Sequence, residues 1–223
     1  GARLPEPDRY AGGDPLMANS RRQLPEVVAA ASGTIPSAIA ERIRLVVFDV
    51  DGVLTDAGVY MGRTASGESI ELKRFDIQDG LGVKLLEQDD IHVVWISGRV
   101  SPATAVRAEE LGVEYHQDAG SRKLAILQGI LEREGVDWAE TAMLADDLPD
   151  LAIFRRMGLK CAVANAQPEI LEEADWIATK QGGHGAAREF SRMLLELRGS
   201  WERIREAYVQ RTSRMIETAE EAR

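Results

Sequence analysis

Cysteine is almost absent from this chain: Cys161 is the only one among 223 residues. No intrachain disulfide can form, so stability has to come from a packed core. Cys161 stands in the apolar run Cys161-Ala-Val-Ala and reads as a buried structural thiol, which suits a reducing compartment. No stretch approaches the roughly eighteen consecutive apolar residues of a membrane span, and residues 1–30 lack a charged-then-apolar signal arrangement. A cytoplasmic location is expected. Histidine is scarce too, and His92, His116 and His184 read as polar surface or turn residues, not as catalytic bases or metal ligands. Basic residues are outnumbered, 27 against 37 acidic, and the net charge of -10 repels nucleic acid and anionic lipid at long range. Neither nucleic acid nor a membrane is expected as a partner. An anionic small-molecule substrate would need a local cluster of Lys and Arg to offset that field.

What is present is an ordinary globular balance, 44% hydrophobic and 29% charged, in a length that holds one well-buried catalytic domain with appendages. Residues 1–33 carry Pro5, Pro7, Gly12, Gly13, Pro15 and Pro25 among polar residues and read as a mobile arm. A domain over 34–198 follows. Its pattern predicts a short helix at Ser37–Arg42, strand Leu45–Val50, a hairpin of Val59–Met61 and Ser69–Lys73, a helix near Gly80–Gln88 and strand Ile91–Ile96. Then come helix Pro102–Leu111, strand Val113–Tyr115, helix Arg122–Glu134, strand Thr141–Leu144, helix Pro149–Met157, strand Cys161–Ala164, helix Pro168–Ala174, strand Trp176–Ile177 and helix Gly185–Arg198. Short apolar strands alternating with amphipathic helices indicate an α/β fold, a parallel sheet wound on both faces in the Rossmann-like manner. In such sheets ligands sit beyond the carboxyl ends of the strands. The tail, 199–223, is helical in pattern but poor in apolar residues, and reads as a solvated helix or one docking on another subunit.

Chemistry-bearing residues fall where such a sheet would place them. Asp49-Val-Asp51-Gly52 directly follows the first strand, and in extended chain residues two apart point the same way. Two carboxylates converge. An isolated Asp-x-Asp is more often strand-end turn chemistry or merely solvated, but three further groups lie at later strand ends: Ser97-Gly98-Arg99, Lys123 at the start of a helix, and Asp146-Asp147-Leu-Pro-Asp150. Each singly has a plain reading as a helix cap or a solvated charge. A phosphate monoester would need all of them, since its dianion must be shielded from a carboxylate nucleophile and its departing alkoxide protonated.

The set resembles the four motifs of the haloacid dehalogenase superfamily over roughly Ile43–Arg198. The resemblance implies that Asp49 is the nucleophile and Asp51 the general acid. It further implies that Mg²⁺ is held by the Asp49 side chain, the Asp51 backbone carbonyl and Asp146, with Asp150 nearby, and that Ser97, Gly98 and Lys123 hold the phosphoryl oxygens. The acid at Asp51 separates the chain from dehalogenases and from transport ATPases, which have Thr there. Ala145 departs from the Gly usual before the last motif. No cap domain fits: a hairpin, a helix and a strand fill the interval from Asp51 to Ser97, and a helix and a strand fill that from Lys123 to Asp146.

The fuller pattern of Asp49–Asp56, Tyr60-Met-Gly62, Phe75-Asp-Ile-Gln-Asp79-Gly80, Ser97-Gly-Arg99 and Gly182-Gly-His-Gly-Ala-Ala-Arg188-Glu189 closely resembles the 3-deoxy-D-manno-octulosonate 8-phosphate phosphatases. That family is capless, acts on a phosphorylated sugar acid and forms homotetramers in which hairpins and tails of adjacent subunits shape the pocket. By that resemblance Arg99 meets the substrate carboxylate, with Lys73 and Arg188 as further candidates. Apolar Val59, Met61, Ile70 and Leu72 are hard to bury within one hairpin, so the hairpin is expected to close a neighbouring subunit's site. Ser97 for a commoner Thr, and His184 where the family has Arg, leave open a related nonulosonate 9-phosphate as substrate. A phosphatase for phosphoprotein, and a partner-binding module that keeps its Asp residues without turnover, are the other readings.

Overall fold

The computed structural model describes residues 35–118, 120 and 122–221, and side chains as far as 213 in the last helix. The expected N-terminal arm, 1–33, lies outside the described residues. Strand β1, Leu45–Phe48, is fully buried along its length, because it is the centre of a six-stranded parallel sheet. The other strands are β4 (His92–Ser97), β5 (Glu114–Gln117), β6 (Thr141–Ala145), β7 (Leu159–Ala162) and β8 (Trp176–Ile177), and the spatial order is β5-β4-β1-β6-β7-β8. The continuous apolar runs of β1 and β6 are those of strands covered on both faces. Helices cover both faces: α1 (Ser37–Arg42), α2 (Ile77–Glu87), α3 (Pro102–Leu111), α4 (Lys123–Glu134), the short α5 (Leu151–Phe154) and α6 (Pro168–Leu171), and α7 (Ala186–Leu197). A long C-terminal helix, α8, runs over Trp201–Glu221. Among the described residues no helix is long and apolar enough to cross a membrane.

Between β1 and β4 the chain makes the two-stranded antiparallel hairpin of β2 (Tyr60–Arg63) and β3 (Ser69–Leu72), which lies outside the main sheet. Among the described residues no cap domain interrupts the chain. The chain leaves β1 in one direction, to β4 and β5, and returns on the other side of β1 through β6. β1 is thus flanked by strands reached in opposite directions, and its carboxyl end is the crevice where ligands collect. Register does the fine placement. Phe48 pairs with Trp95 on β4 and with Leu144 on β6, so Asp49, Ser97 and Asp146 emerge within two residues of the same level.

Two expected elements shift for identifiable reasons. The helix expected over Pro149–Met157 is reduced to a single 3-10 turn, Leu148–Asp150, and Leu151–Phe154. Gly158 then turns so close to Ala139 that a Cβ would lie 2.2 Å from its carbonyl oxygen, which a continuing helix would not permit. β7 begins at Leu159, two residues before expectation, because Lys160 breaks the apolar run in the sequence while its amide is held by the Asp175 side chain at 2.8 Å. Cys161 is buried in β7, and burial pushes its thiol well above the usual range, as befits an inert structural group.

The tail departs from expectation too, since its first turns dock on this chain's own domain. Ile204 is buried, and Trp201 and Tyr208 are half-buried against the core. Asp89, at the end of α2, accepts from Arg198 Nε at 2.6 Å, Arg203 Nη2 at 2.5 Å and Ser200 Oγ at 2.8 Å. A buried carboxylate with three charge-assisted or hydroxyl donors anchors the junction of α7 and α8. Removing it leaves Arg198 Nε without its acceptor and Ser200 Oγ with only the Leu195 carbonyl, at 3.3 Å. Asp89→Ala is expected to lower stability by about 1–3 kcal/mol, read as an earlier urea midpoint, and to speed proteolysis of the tail. Unchanged proteolysis and midpoint would show that α8 is held by its apolar contacts alone.

Candidate active site

The loop after β1 is bent around Gly52, whose φ is 109° and whose Cβ, if present, would lie 2.0 Å from Asp146 Oδ2. Only glycine fits. Thr55 closes the loop: its hydroxyl donates to the Val50 carbonyl at 3.2 Å and accepts from the amides of Gly52 and Ala57, each at 3.3 Å. This curl turns Asp49 and Asp51 toward a cavity of about 260 Å³ at the carboxyl edge of the sheet. The lining residues are Asp49, Asp51, Gly98, Arg99, Lys123, Asp146, Asp147, Pro149 and Asp150.

Lys123 begins α4, is 3% exposed, and donates to Asp49 Oδ1 at 2.5 Å and Asp150 Oδ1 at 2.7 Å. Five acids face two cations in this lining, and the imbalance is visible in their proton affinities. Burial, then the charges of Asp49 and Asp150, push Asp146 up to about 9. Burial, then Asp49, push Asp150 up to about 8. Asp49 is raised by its burial although Lys123 pulls it down. Burial opposes the charge of Lys123, but Asp49 and Asp150 outweigh it and hold its pKa above the ordinary lysine value. Oxygens of Asp49, Asp146 and Asp150 all lie within 4.8 Å of one another. An all-carboxylate set with surplus negative charge suits a hard divalent cation such as Mg²⁺.

Asp51 has different neighbours. It lies 2.6 Å from Lys73 Nζ and accepts from Ser97 Oγ at 3.2 Å, so the two carboxylates of Asp49-Val-Asp51 are held by different cations. Lys73 also donates to Thr104 Oγ1 at 3.3 Å, and Arg99 donates to Glu71 Oε2 at 2.9 Å.

The structure therefore brings together Asp49, Asp51, Ser97, Gly98, Arg99, Lys123, Asp146, Asp150 and Lys73. Arg188 is elsewhere: its guanidinium stacks 5.1 Å from the Trp201 ring centroid and it is not among the lining residues, because α7 points it along the junction with α8. Val59–Lys73 carries its polar face to its own chain's site through Glu71 and Lys73, not away from it. His184 is exposed and lies 3.3 Å from an Arg74 nitrogen, and Ala145 is buried within β6, outside the lining.

Sequence reasoning missed Glu71, Thr104 and the role of Asp79. The strand period was the available signal for Glu71, which shares a face with Lys73 opposite Ile70 and Leu72. Nothing in the sequence pointed to Thr104, which arrives from α3. Asp79, nearly fully buried in α2, accepts from the amides of Arg188 at 2.8 Å and Gly185 at 3.2 Å and so caps α7. Burial pushes it up to about 6, against the pull of those amides.

The haloacid dehalogenase-like hydrolase family matches residues 117–190. The 3-deoxy-D-manno-octulosonate 8-phosphate phosphatase of Escherichia coli K12 is 38% identical over 160 residues, 72% of this chain and 83% of that protein. That of Haemophilus influenzae is 38% identical over 159 residues, 71% of this chain and 86% of that protein. Among solved structures, the Moraxella catarrhalis phosphatase of the same name, in complex with magnesium ion, phosphate ion and KDO, has a TM-score of 0.71 and 33% identity and covers 77% of this chain and 97% of that one. A probable YrbI family phosphatase from Pseudomonas syringae has a TM-score of 0.71 and 39% identity, covering 78% and 96%. With its full set of carboxylates and its basic residues at the strand ends, the chain belongs to the 3-deoxy-D-manno-octulosonate 8-phosphate phosphatase family of haloacid dehalogenase-like hydrolases.

Proposed function

We propose that this chain is a Mg²⁺-dependent phosphatase that hydrolyses 3-deoxy-D-manno-octulosonate 8-phosphate, with Asp49 as the phosphoryl acceptor. The observation that carries this reading is the division of labour at the strand ends: Asp49 is paired with Lys123 among the carboxylates, while Asp51, two residues on, is held apart by Lys73 and Ser97. A carboxylate oxygen of Asp49 attacks phosphorus as the ester oxygen leaves, and Asp51, protonated, gives that oxygen its proton. The aspartyl phosphate is then hydrolysed by water that gives its proton to Asp51, which restores both groups. Lys123, Ser97 and the Gly98 amide hold the phosphoryl oxygens through this exchange. Asp49, Asp146 and Asp150, with the Asp51 carbonyl, would hold Mg²⁺, which supplies the positive charge that lets an anionic nucleophile approach a dianion.

The cavity, about 260 Å³, is below the usual range for ligand sites, roughly 300–1,000 Å³, so a phosphate fills its floor and the sugar acid extends to the rim. Arg99 is at that rim to meet the carboxylate, while Lys73, its side chain buried against Asp51 and Thr104, holds the general acid. The departure at His184 is tied to Arg74 outside the cavity lining, which favours the octulosonate over a nonulosonate substrate.

We propose further that the enzyme is a cytoplasmic homotetramer in which subunit contacts cover the outer face of the hairpin. Supporting this are Tyr60, Ile70 and Leu72, exposed on the face away from the site, and Met61, 70% exposed at the edge opposite Glu71, on a hairpin that would be marginal alone in water.

Asp49→Asn is expected to abolish turnover with circular dichroism unchanged, and Asp51→Asn to cost about 10²–10⁴-fold, the usual worth of a general acid. Appreciable turnover in a verified Asp49→Asn protein would refute the nucleophile.

EDTA should silence the enzyme and Ca²⁺ inhibit it, since Ca²⁺ takes more oxygens in looser geometry and can engage both oxygens of Asp49. Because burial and mutual repulsion raise the proton affinities of Asp146 and Asp150 in the metal-free protein, Mg²⁺ has to compete with protons to bind. Half-saturating Mg²⁺ should therefore fall as pH rises from about 6 to 8; a flat profile would contradict the shared-charge account.

Met61→Glu and Leu72→Glu should dissociate the assembly in light scattering and reduce turnover of the sugar acid phosphate more than that of p-nitrophenyl phosphate. A fully active wild-type monomer would overturn the assembly and favour a large substrate.

A further inference from the structure

Strand β3 alternates in the manner of any extended chain. Ile70 and Leu72 point away from the domain and are exposed, which turns Glu71 and Lys73 to the opposite face, against the cavity mouth. Glu71 is an unexpected residue to find there. It is a carboxylate, its side chain is only 12% exposed, and it stands beside a site that must attract an anion. A charge in that position raises the cost of bringing in the substrate unless it does something else.

The contacts show what that is. Glu71 Oε2 accepts from Arg99 Nη2 at 2.9 Å, and Glu71 Oε1 lies 3.7 Å from Lys73 Nζ. Among the described residues Glu71 is the only side-chain acceptor of Arg99. Lys73, by contrast, has Asp51 and Thr104 as well and is held without Glu71. The dependence is therefore asymmetric: Arg99, half-exposed on an open rim, has one tether, and that tether comes from the hairpin. An untethered arginine samples many rotamers, and a ligand that has to order it loses affinity in doing so. A charge-assisted bond removes most of that freedom before the ligand arrives.

We propose that Glu71 is the positioning residue for the sugar-acid end of the substrate, holding the Arg99 guanidinium at the cavity rim so that the substrate carboxylate meets it already oriented. This rests on the proposed sugar acid phosphatase reading. It is distinct from a contact with the phosphate, because Glu71 touches none of Asp49, Ser97 or Lys123. It also ties the hairpin to substrate recognition within one chain, through Glu71 on β3 and Arg99 after β4.

The test is a cycle of Glu71→Gln, Arg99→Ala and the double variant, assayed with 3-deoxy-D-manno-octulosonate 8-phosphate and with p-nitrophenyl phosphate, which has no carboxylate. Glu71→Gln keeps shape and one acceptor but loses the charge. The ratio of the KM for the sugar acid phosphate to that for p-nitrophenyl phosphate should rise about tenfold, the order of affinity lost when a ligand has to immobilise a rotamer-rich side chain, with kcat changing far less. On the Arg99→Ala background the same substitution should change that ratio by less than about twofold, because Glu71 would have nothing left to position.

A fall in the ratio would overturn the proposal, since it would mean that Glu71 competes with the substrate for Arg99. Equal losses with both substrates, or full additivity with Arg99→Ala, would reduce Glu71 to a structural role. A crystal structure of the Glu71→Gln protein decides the point independently of substrate: Arg99 should leave the rim, and an unmoved guanidinium would refute the tether. If the wild-type protein does not turn over the sugar acid phosphate, the functional reading fails, whereas the crystal structure still reports whether Glu71 holds Arg99.

Discussion

Lys123 is buried between Asp49 and Asp150, and the arrangement of the site follows from what it costs to place several carboxylates in one dry corner of a sheet. Each buried charge loses several kcal/mol of hydration, and a single ammonium cannot neutralise Asp49, Asp146 and Asp150 together. The raised pKa values of Asp146 and Asp150 express the remaining imbalance. A divalent ion bound among these carboxylates would relieve that imbalance. The same imbalance makes the site selective for a metal-accompanied anion on a protein whose overall charge of -10 would otherwise repel one.

Such a cluster is useful only if the backbone holding it cannot relax. Two glycine-dependent contacts supply that rigidity. The Gly52 turn passes so close to Asp146 that any side chain would displace the carboxylate. The glycine-rich loop before α7 then presses on the same turn, since a Cβ on Gly182 would lie 1.7 Å from the Gly52 carbonyl oxygen. Asp79 holds the start of α7 in place through the amides of Gly185 and Arg188, and Arg74 reaches the Gly183 carbonyl. A segment far along the chain thereby fixes the loop that carries Asp49 and Asp51, while Asp89 fixes the other end of α7 to the tail. The core beneath is dense, with Phe48 and Phe190 packed edge to face at 5.6 Å.

The open rim is the complement of this rigid floor. Without a cap, the proposed recognition of the sugar acid falls to the hairpin and the turn after β4, where Arg99 is half-exposed and tethered by Glu71. The hairpin presents two unlike sides because a strand has two faces: Glu71 and Lys73 turn inward to the site, while Ile70 and Leu72 turn outward.

The sequence by itself determined the parallel sheet, its strand-end chemistry and the absence of a cap, because apolar period, turn residues and motif spacing are local properties of the chain. Asp49, Asp51, Ser97, Asp146 and Asp150 were legible for the same reason, lying at a strand end or within five residues of one, and Lys123 at the start of a helix. Only the tertiary structure decided which charges pair. That Lys73 faces Asp51, that Thr104 supports it, that Arg188 stacks on Trp201 instead of entering the cavity, and that the polar-looking tail docks through Ile204 and Asp89 all depend on the angle at which one element crosses another. Side-chain direction across such a crossing is set by packing over long sequence separations, which no local pattern encodes.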